Sequence, residues 1–561
     1  MKYLFLLFCL TLYSQEVILS AGISEYSIGQ VWYIAPEGIQ QLTIKPTVWI
    51  TNWSEGTPDL SLDAIIDGDY TTTANGPITT NSLTVNSTRS LTINSGTNVT
   101  VQNEIINNGI IIVENNANLI QINDVLNTGE INVNRDSSPL LRLDYTMWSS
   151  PVKGAQTLGG FSPLTSTNRF YEYNTTSDLY NAVANTIPFD VAKGYLIRMP
   201  NTWISSPEPP TPWSGIFTGT PNNGNIKYTM STALNGYNAV GNPYPSTISI
   251  ANFISGNINN IDGTLYFWRK RNDATNLTSY STCTSAGCTI NNSHIYANSD
   301  FISVGQGFIV KATSTTLNFS NSMRLSNNQN QFFKTKAIEK NRIWLNLLKD
   351  NTPVNQMLVV YMTGATQGID PAIDGKYFND SQTALNSLIG SEEFAIQGRG
   401  LPFDVTDVVP LAFKTTTAGN FTIVIDHVDG LFDKGQDIYL VDSKTGTEAN
   451  LKLAAYTFTA AVGVDNTRFS LKYQKTLKVD APAFNENSVS VYKNNGALYV
   501  NSGNIAISKI TVFDIQGRLL TEQKNVKATS AVINNLKTVH QVLIVKIVSE
   551  DNKEVTKKVV N

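Results

Sequence analysis

The order of apolar and polar residues predicts a protein built almost entirely from β-strands. From about Val31 to the end of the chain, short runs rich in Val, Ile, Thr, Tyr and Phe alternate with clusters of Gly, Asn, Asp and Pro. Short apolar runs between turn residues are typical of strands, whereas an amphipathic helix repeats its apolar positions about every 3.6 residues. Helical segments are expected to be brief, for example around Asp380–Leu388.

Residues 31–139 contain a repeated strand pattern that predicts a β-solenoid. Runs such as Leu83-Thr-Val85, Leu91-Thr-Ile93 and Val99-Thr-Val101 recur every six to twelve residues, and Asn, Gly and Ser separate them. Stacked units of this kind bury one continuous apolar column, and Asn at the corners tolerates a left-handed backbone. The alternative interpretation is an ordinary β-sandwich with tight hairpins.

The rest of the chain divides by composition into three further regions. Residues 140–325 form a β-rich module with many aromatic residues and prolines, and residues 340–475 have the strand spacing of a β-sandwich. A third, small sandwich is expected at residues 488–561. Polar stretches at 326–339 and 476–487 are the expected boundaries. The predicted fold class is therefore all-β, with solenoid-like repeats followed by β-sandwich modules.

The N-terminus resembles an export signal in its residue pattern. Lys2 precedes an apolar run from Tyr3 to Tyr13, and Ser14 and Ala21 are candidate cleavage positions. A positive residue followed by a short apolar core is typical of a secretory signal peptide, which we assign to residues 1–21; a buried N-terminal strand is the alternative. No later stretch reaches 18 consecutive apolar residues, so no membrane span is expected.

The composition and the absence of known motifs argue against nucleic-acid binding, catalysis and metal binding. Charged residues make up 15% of the chain and the net charge is −4, which argues against nucleic-acid binding by the chain as a whole. The sequence has three histidines and no Gly-x-Ser-x-Gly, His-Glu-x-x-His or Cys-x-x-Cys motif. We therefore predict no catalytic residue and no metal site. Cys283 and Cys288 close a short loop, and in an exported protein they are expected to form a disulfide at a hairpin tip.

Carboxylates and tryptophans offer two weaker hypotheses. Two carboxylates across a cleft would suffice for a glycosidase, but Asp residues near Gly or Pro are expected mainly to stabilise turns. The closely spaced pairs are Asp67 with Asp69, Asp370 with Asp374, Asp404 with Asp407, and Asp426 with Asp429. Calcium binding is the alternative for Asp370 with Asp374 and for Asp429 with Asp433. Trp203 and Trp213 flank a proline-rich loop and could form an aromatic platform for a surface glycan, although core packing is the alternative.

The last region differs from the others in charge. Residues 488–561 contain ten Lys and Arg residues and five Asp and Glu residues, a net charge of +5. The remainder has 30 basic and 39 acidic residues and a net charge of −9. A basic, compact domain at the end of an acidic chain suggests an electrostatic docking role.

Three motifs in this region carry a family resemblance. They are Phe513-Asp514-Ile-Gln-Gly517-Arg518-Leu, Val542-Leu-Ile-Val545 and Lys557-Lys558-Val-Val. The region resembles the C-terminal sorting domain of Bacteroidetes proteins exported by the type IX secretion system. This resemblance implies a small β-sandwich recognised by the outer-membrane translocon and its shuttle protein.

The resemblance is incomplete at the start of the domain. The opening Pro-Asn-Pro of the commonest subclass is absent, because Tyr492 is followed by Lys493-Asn-Asn. Two alternatives stay open: removal of the domain by a sortase with attachment to lipopolysaccharide, or simple release. The middle regions resemble modules of secreted flavobacterial proteins that have no assigned activity, through stretches such as Trp148-Ser-Ser-Pro and Gly241-Asn-Pro-Tyr-Pro.

These observations predict a protein that crosses the periplasm and acts at the cell surface or outside the cell. Its expected role is structural or adhesive, and its last domain is the expected export address. The alternative is a secreted protein that binds or degrades a polysaccharide. A third hypothesis is an accessory subunit of a surface machine.

Overall fold

The computed structural model describes residues 45–268, 280–289, 301–325, 339–475, 484–494, 496–534, 536 and 541–560, and the backbone of four short strands before residue 45. The described residues are predominantly in strands, which confirms the predicted all-β class. The chain forms two compact units, Met1–Gln474 and Lys475–Asn561. The domain boundaries predicted between residues 139 and 140 and between residues 325 and 340 both lie inside the first unit. No helix among the described residues is long and apolar enough to cross a membrane.

The first fifteen strands include an N-terminal β-solenoid, as predicted. Two antiparallel pairs, β1 with β2 and β3 with β4, precede it, and the side chains of the predicted signal peptide, residues 1–21, lie outside the described residues. The elements are β1 (Cys9–Thr11), β2 (Ser14–Glu16), β3 (Gln30–Ala35), β4 (Gly38–Thr43), β5 (Thr47–Trp49), β6 (Ala64–Ile66), β7 (Tyr70–Thr71), α1 (Thr72–Asn75), β8 (Ile78–Thr80), β9 (Leu83–Val85), β10 (Ser90–Ile93), β11 (Asn98–Val101), β12 (Ile105–Asn107), β13 (Ile110–Val113), β14 (Asn118–Gln121) and β15 (Ile131–Asp136).

Three parallel sheets form the walls of the solenoid. Their strand orders are β5-β6-β9-β12, β7-β10-β13-β15 and β8-β11-β14, so each turn contributes one strand to each wall. In the first wall, Ala64 lies opposite Leu83, and Leu83 lies opposite Ile105. These three side chains point inward and are buried in one core. Alternation along each short strand therefore places every second apolar residue in a continuous column.

Asparagine residues connect successive turns through their side chains. The Nδ2 of Asn81 donates to Asp63 Oδ1 at 2.8 Å, that of Asn103 donates to Asn81 Oδ1 at 2.7 Å, and that of Asn123 donates to Asn103 Oδ1 at 2.7 Å. This row, which we call the Asn ladder, follows the stack of turns. Asn116 is the one described asparagine of the solenoid with a left-handed backbone (φ 63°). The abundance of Asn thus reflects hydrogen bonding between turns more than left-handed corners.

The next strands form a module with two facing sheets, of strand orders β16-β20-β18-β19 and β23-β29-β25-β26-β27. Met147, Leu196, Tyr266 and Ile309 are buried between them. The elements are β16 (Tyr145–Trp148), β17 (Val152–Lys153), α2 (Leu158–Phe161), β18 (Phe170–Asn174), β19 (Leu179–Ala182), β20 (Tyr195–Arg198), β21 (Ser214–Pro221), β22 (Ile226–Thr229), β23 (Tyr237–Gly241), β24 (Thr247–Ser249), α3 (Ile250–Gly256), β25 (Ile261–Trp268), β26 (Tyr280–Thr284), β27 (Gly287–Cys288), β28 (Phe301–Ile302), β29 (Gly307–Ala312), β30 (Thr316–Phe319), the 3-10 turn Asn321–Met323 and β31 (Arg324–Leu325).

This module covers the last turn of the solenoid. Strand β21 pairs antiparallel with β15, and the backbone N–H of Thr247 donates to Asn118 Oδ1. The buried guanidinium of Arg324 donates to the carbonyl of Leu119 at 2.6 Å and lies 4.8 Å from the ring centroid of Tyr244. The exposed backbone groups of the final turn are therefore satisfied by the module, and the solenoid core continues into it.

Eleven strands of the first unit form one mixed sheet with one large apolar core and smaller apolar clusters around Leu358 and Ala384. The helix expected at Asp380–Leu388 was a wrong prediction, because Ala384–Ile389 is a strand between two antiparallel neighbours. Its buried Ser387 Oγ donates to the carbonyl of Phe394. The strands are β32 (Lys340–Lys349), β33 (Thr352–Met362), β34 (Gly375–Lys376), β35 (Ala384–Ile389), β36 (Glu392–Gly400), β37 (Val408–Thr415), β38 (Gly419–Val428), β39 (Tyr439–Asp442), β40 (Thr447–Asn450), β41 (Tyr456–Ala460) and β42 (Gly463–Lys472).

The second unit has two antiparallel sheets, of strand orders β43-β44-β47 and β46-β45-β48-β49. Its own core includes Leu498, Val512 and Val545, and it also includes Phe484, which precedes the predicted start at residue 488. The strands are β43 (Ser490–Asn494), β44 (Ala497–Asn501), β45 (Ile507–Phe513), β46 (Leu519–Ala528), β47 (Ser530–Ile533), β48 (Val542–Ser549) and β49 (Glu554–Val560).

We predict that replacing Asn103 in the Asn ladder destabilises the first unit. Asn103→Ala removes the side-chain hydrogen bonds to Asn81 and Asn123, which should lower the free energy of unfolding by about 1–2 kcal/mol. Asn108→Ala is the matched control, because Asn108 is an exposed asparagine of the same turn. Chemical denaturation followed by tryptophan fluorescence measures both. Equal stability of the two variants would contradict a stabilising role for the ladder.

Candidate functional site: the Asp514 turn and the outer face of the C-terminal unit

The first predicted motif of the C-terminal unit is a tight turn between β45 and β46. Phe513 ends β45 and Leu519 begins β46. The N–H of Asp514 donates to the carbonyl of Arg518, and the N–H of Gly517 donates to the carbonyl of Asp514. Gly517 has φ +80°, a left-handed conformation that glycine adopts without steric cost. The spacing Phe-Asp-x-x-Gly-Arg is therefore the sequence of a closed turn.

The carboxylate of Asp514 holds this turn together. Its side chain is 1% exposed, and it accepts hydrogen bonds from the N–H groups of Gln516 and Arg518, both at 2.9 Å, and from Nε of Arg518 at 2.6 Å. Burial by itself would raise the pKa of Asp514, but the hydrogen bonds from Arg518 and Gln516 outweigh burial and lower that pKa below its ordinary value. Asp514 is thus a structural anion.

Phe513 and Lys558, from two different motifs, lie on the same outer surface. Leu519, Phe513, Ile544 and Lys558 are directly paired in order across the four strands β46-β45-β48-β49. Paired residues of antiparallel strands point to the same side of the sheet. The intervening Val512 and Val545 point into the core, so this row points outward. With the adjoining pair Val542 and Val560 it defines a surface that we call the Phe513 face.

The Phe513 face is apolar and uncovered within its unit. Leu519 is 57% exposed and Val560 is 75% exposed, while Phe513, Val542 and Ile544 are half-buried. Lys558 is exposed and belongs to the same row. Exposed clusters of this kind commonly mark interaction surfaces. Leu519, Ile544 and Val542 were missed as site residues. The sequence signal for these residues was the run Val542–Val545, in which all four residues are apolar. A strand with only one face in a core normally alternates apolar and polar residues, so the additional apolar residues point to an apolar outer face.

Lys557 has a different position from Lys558. Lys557 is paired with the core residue Val545 and therefore lies on the inner side of the edge strand β49, where it is half-buried. A charge on the inner side of an edge strand discourages pairing with another chain. In the described residues Lys493, Lys527, Lys557 and Lys558 form no ion pair, whereas Lys546 binds Glu554 and Lys553 binds Asp551.

The structure separates the two tryptophans of the expected glycan platform. The ring of Trp213 packs edge-on against Trp148 and Phe161, with centroids 5.9 and 5.3 Å apart, beside the core of the first unit. The indole N–H of Trp203 donates to the carbonyl of Leu140 at 3.1 Å. Both side chains are half-buried, and among the described residues no ring contact joins Trp203 to Trp213.

Cys283 and Cys288 are disulfide-bonded, with Cα atoms 4.1 Å apart. The hairpin was expected to be a polar tip, but both cysteines are buried. The carbonyl of Cys288 accepts a hydrogen bond from Nε1 of Trp344 at 2.9 Å, and Ala286 packs with Leu358. The hairpin therefore packs against the eleven-stranded sheet inside the first unit.

Most Asp residues of the four closely spaced pairs accept hydrogen bonds from the protein itself. Asp374 accepts the N–H groups of Asp370 and Gly398, both at 2.6 Å, and burial raises the pKa of Asp374 to about 6. Asp407 pairs with Arg399, and Asp429 pairs with Arg342. Asp67 accepts from Asn86, Asp69 from Ser90, Asp404 from Thr406 and Asp426 from Asn346. No group of three or more His, Cys, Asp or Glu side chains that could hold a metal ion occurs among the described residues.

We predict that the Asp514 turn makes the stability of the C-terminal unit pH-dependent. The folded-state pKa of Asp514 lies below its unfolded value of 3.8, so this contribution is present above that value and is lost as the pH falls through the folded-state pKa. Asp514→Asn in residues 475–561 should lower the melting temperature by several degrees near pH 7 and by much less near pH 2.5. Glu554→Gln, at an exposed ion pair, is the control; similar losses for Asp514→Asn at both pH values would refute the assignment.

Two family models match the chain. One, described as domain of unknown function DUF8693, covers residues 47–473, and the other, described as domain of unknown function DUF8694, covers residues 477–561. No curated protein matches. A solved structure entitled "Biofilm associated protein - BSP domain" aligns at 12% identity over 75% of this chain and 90% of that chain, with a TM-score of 0.12, which is too low to support an argument. The first unit of the structure ends at Gln474, one residue after the end of the longer family model at residue 473. The chain belongs to the DUF8693 family.

Proposed function

We propose that this protein is exported to the cell surface or released, that it has a structural or adhesive role there, and that its C-terminal unit is the export address. The observation that carries the proposal is the Phe513 face: a compact unit with its own core presents an uncovered apolar surface beside Lys558. An outer-membrane translocon of the type IX secretion kind and its shuttle protein are the proposed partners.

Charge supports a docking role for this unit. Residues 488–561 have a net charge of +5, opposite in sign to the −9 of the remaining chain. A basic surface is attracted to an acidic partner over several ångströms, and an apolar surface then supplies the contact energy. The motif residues divide accordingly: Asp514 and Gly517 shape the turn, whereas Phe513 and Lys558 lie on the proposed contact surface.

The first unit supports the surface role by its architecture and composition. The solenoid walls have three or four parallel strands each, and a further sheet has eleven strands. Only 15% of the chain is charged, and neutral side chains such as those of the Asn ladder supply the polar groups. Neutral hydrogen-bonding surfaces depend little on ionic strength, because salt screens charges and leaves amide and hydroxyl groups unaffected. Such a surface is suited to contacts outside the cell.

We predict that removal of the C-terminal unit stops export. In a bacterium that carries a type IX secretion system, a chain ending at Gln474 should accumulate in the periplasm, while the full chain reaches the surface or the medium. Residues 475–561 fused to a periplasmic reporter should carry that reporter outside. Immunoblots of periplasm, surface-shaved protein and medium measure both. Export of the truncated chain, or periplasmic retention of the fusion, would contradict the proposed address.

A charge reversal on the Phe513 face tests recognition separately from folding. Lys558→Glu should reduce export of the fusion at least tenfold, whereas Lys493→Glu should leave export nearly unchanged. The two variants are matched, because both lysines are exposed strand residues without an ion pair among the described residues. Circular dichroism shows whether each variant folds. Equal export of two folded variants would exclude Lys558 from the recognition surface.

A further inference from the structure

A polar cleft in the first unit contains charged and hydroxyl side chains that have no role in the proposed export address. It lies where the end of β18, the start of β20 and the strands β22 and β23 meet, and its volume is about 280 Å³. The side chains of Thr176, Thr229 and Ser231 lie along it, and Tyr228 contributes a phenol. Apart from Gly194 and Ala239, the residues that line the cleft have polar side chains, so the cleft is suited to a hydrophilic ligand.

The cleft contains a close pair of opposite charges. Lys193 Nζ lies 2.7 Å from Glu172 Oε2 and 3.4 Å from Asp190 Oδ2, and the side chains of Lys193 and Glu172 are 22% and 34% exposed. The hydroxyl of Tyr195 donates to Asp190 Oδ2 at 3.0 Å. A strong donor and a strong acceptor are thus presented side by side to the cleft.

The backbone holds this charge pair in position. Glu172 is paired directly with Tyr195 across β18 and β20, and Lys193 bridges to Val240 of β23. Between them Gly194 passes so close to β23 that a Cβ at this position would lie 2.8 Å from the carbonyl oxygen of Val240. Because the two charged residues are fixed by the sheet, little conformational entropy would be lost when a ligand binds.

The charges around the cleft indicate the class of ligand. Lys193 lies between two carboxylates, Glu172 and Asp190, so the local net charge is negative and an anionic ligand is disfavoured. A free cation is disfavoured by the central ammonium group. Neighbouring hydroxyls of a sugar ring match the pair well, because one hydroxyl can donate to the carboxylate while the next accepts from the ammonium.

We propose that this cleft binds a neutral sugar unit of a polysaccharide, with Glu172 and Lys193 holding adjacent hydroxyls and the Thr and Ser side chains contacting the rest of the ring. The proposal deepens the adhesive part of the proposed function by naming its ligand class. It can be tested separately from the export address, because sugar binding is measured on the purified protein and does not depend on export.

Affinity electrophoresis of the purified full chain in gels containing dextran, laminarin, α-mannan or alginate tests the cleft. We expect at least one of the three neutral polysaccharides to retard the protein, and alginate, which is anionic, to have no such effect. Glu172→Gln and Lys193→Met should each weaken retardation at least tenfold. Thr229→Trp, which fills the cleft and leaves the ion pair intact, should abolish it.

Glu392→Gln is the matched control, because Glu392 forms a 2.8 Å ion pair with Lys376 in the same unit and outside the cleft. Melting temperatures show which variants are folded, and Thr229→Trp keeps the test valid if a charge variant unfolds. Retardation by none of the neutral polysaccharides would overturn the proposal. So would retardation by alginate alone, or variants that bind as tightly as the Glu392→Gln control.

Discussion

The open end of the β-solenoid is the constraint on which the first unit depends. A stack of parallel strands leaves unpaired N–H and C=O groups at its last turn, and these must be covered. Here β21 pairs with β15, and buried Arg324 donates to the carbonyl of Leu119. Since the covering module also packs its disulfide hairpin against Trp344 of the eleven-stranded sheet, the solenoid, the module and the sheet form one compact unit that ends at Gln474. The extent of the DUF8693 match agrees with this connection.

The C-terminal unit differs from the first unit in that part of its outer surface is apolar. Two sheets enclose one core, so each strand has one covered side and one outer side. Charges and short polar residues occupy most outer positions, but Phe513, Ile544 and Val560 remain apolar there. The Asp514 turn fixes the end of β45 on which Phe513 lies, which links the spacing of the motif to the shape of the proposed contact surface. This division between a rigid scaffold and an uncovered face is what makes an address function physically reasonable.

Local patterns predicted local structure well. The alternation in Leu83-Thr-Val85 and the runs that follow it predicted the stacked strands of the solenoid. Features that depend on residues far apart in the chain could not be predicted from the sequence. The Asn ladder joins residues 18 to 22 positions apart. Which side of Val542–Val545 stays uncovered depends on where the other sheet packs. Asp380–Leu388 was assigned to a helix because its pairing with β36 and β37 cannot be seen in the sequence. Glu172 and Lys193 were missed for the same reason.

The central claim is that residues 475–561 fold without the remainder of the chain and can therefore serve as a transferable address. The most direct test compares amide 1H–15N NMR spectra of the isolated fragment with those of the same residues, segmentally labelled, in the full chain. We predict dispersed β-sheet shifts that coincide in the two samples, with slow hydrogen exchange at Val512 and Val545 in both. A collapsed spectrum of the fragment, or core shifts that appear only in the full chain, would contradict the claim.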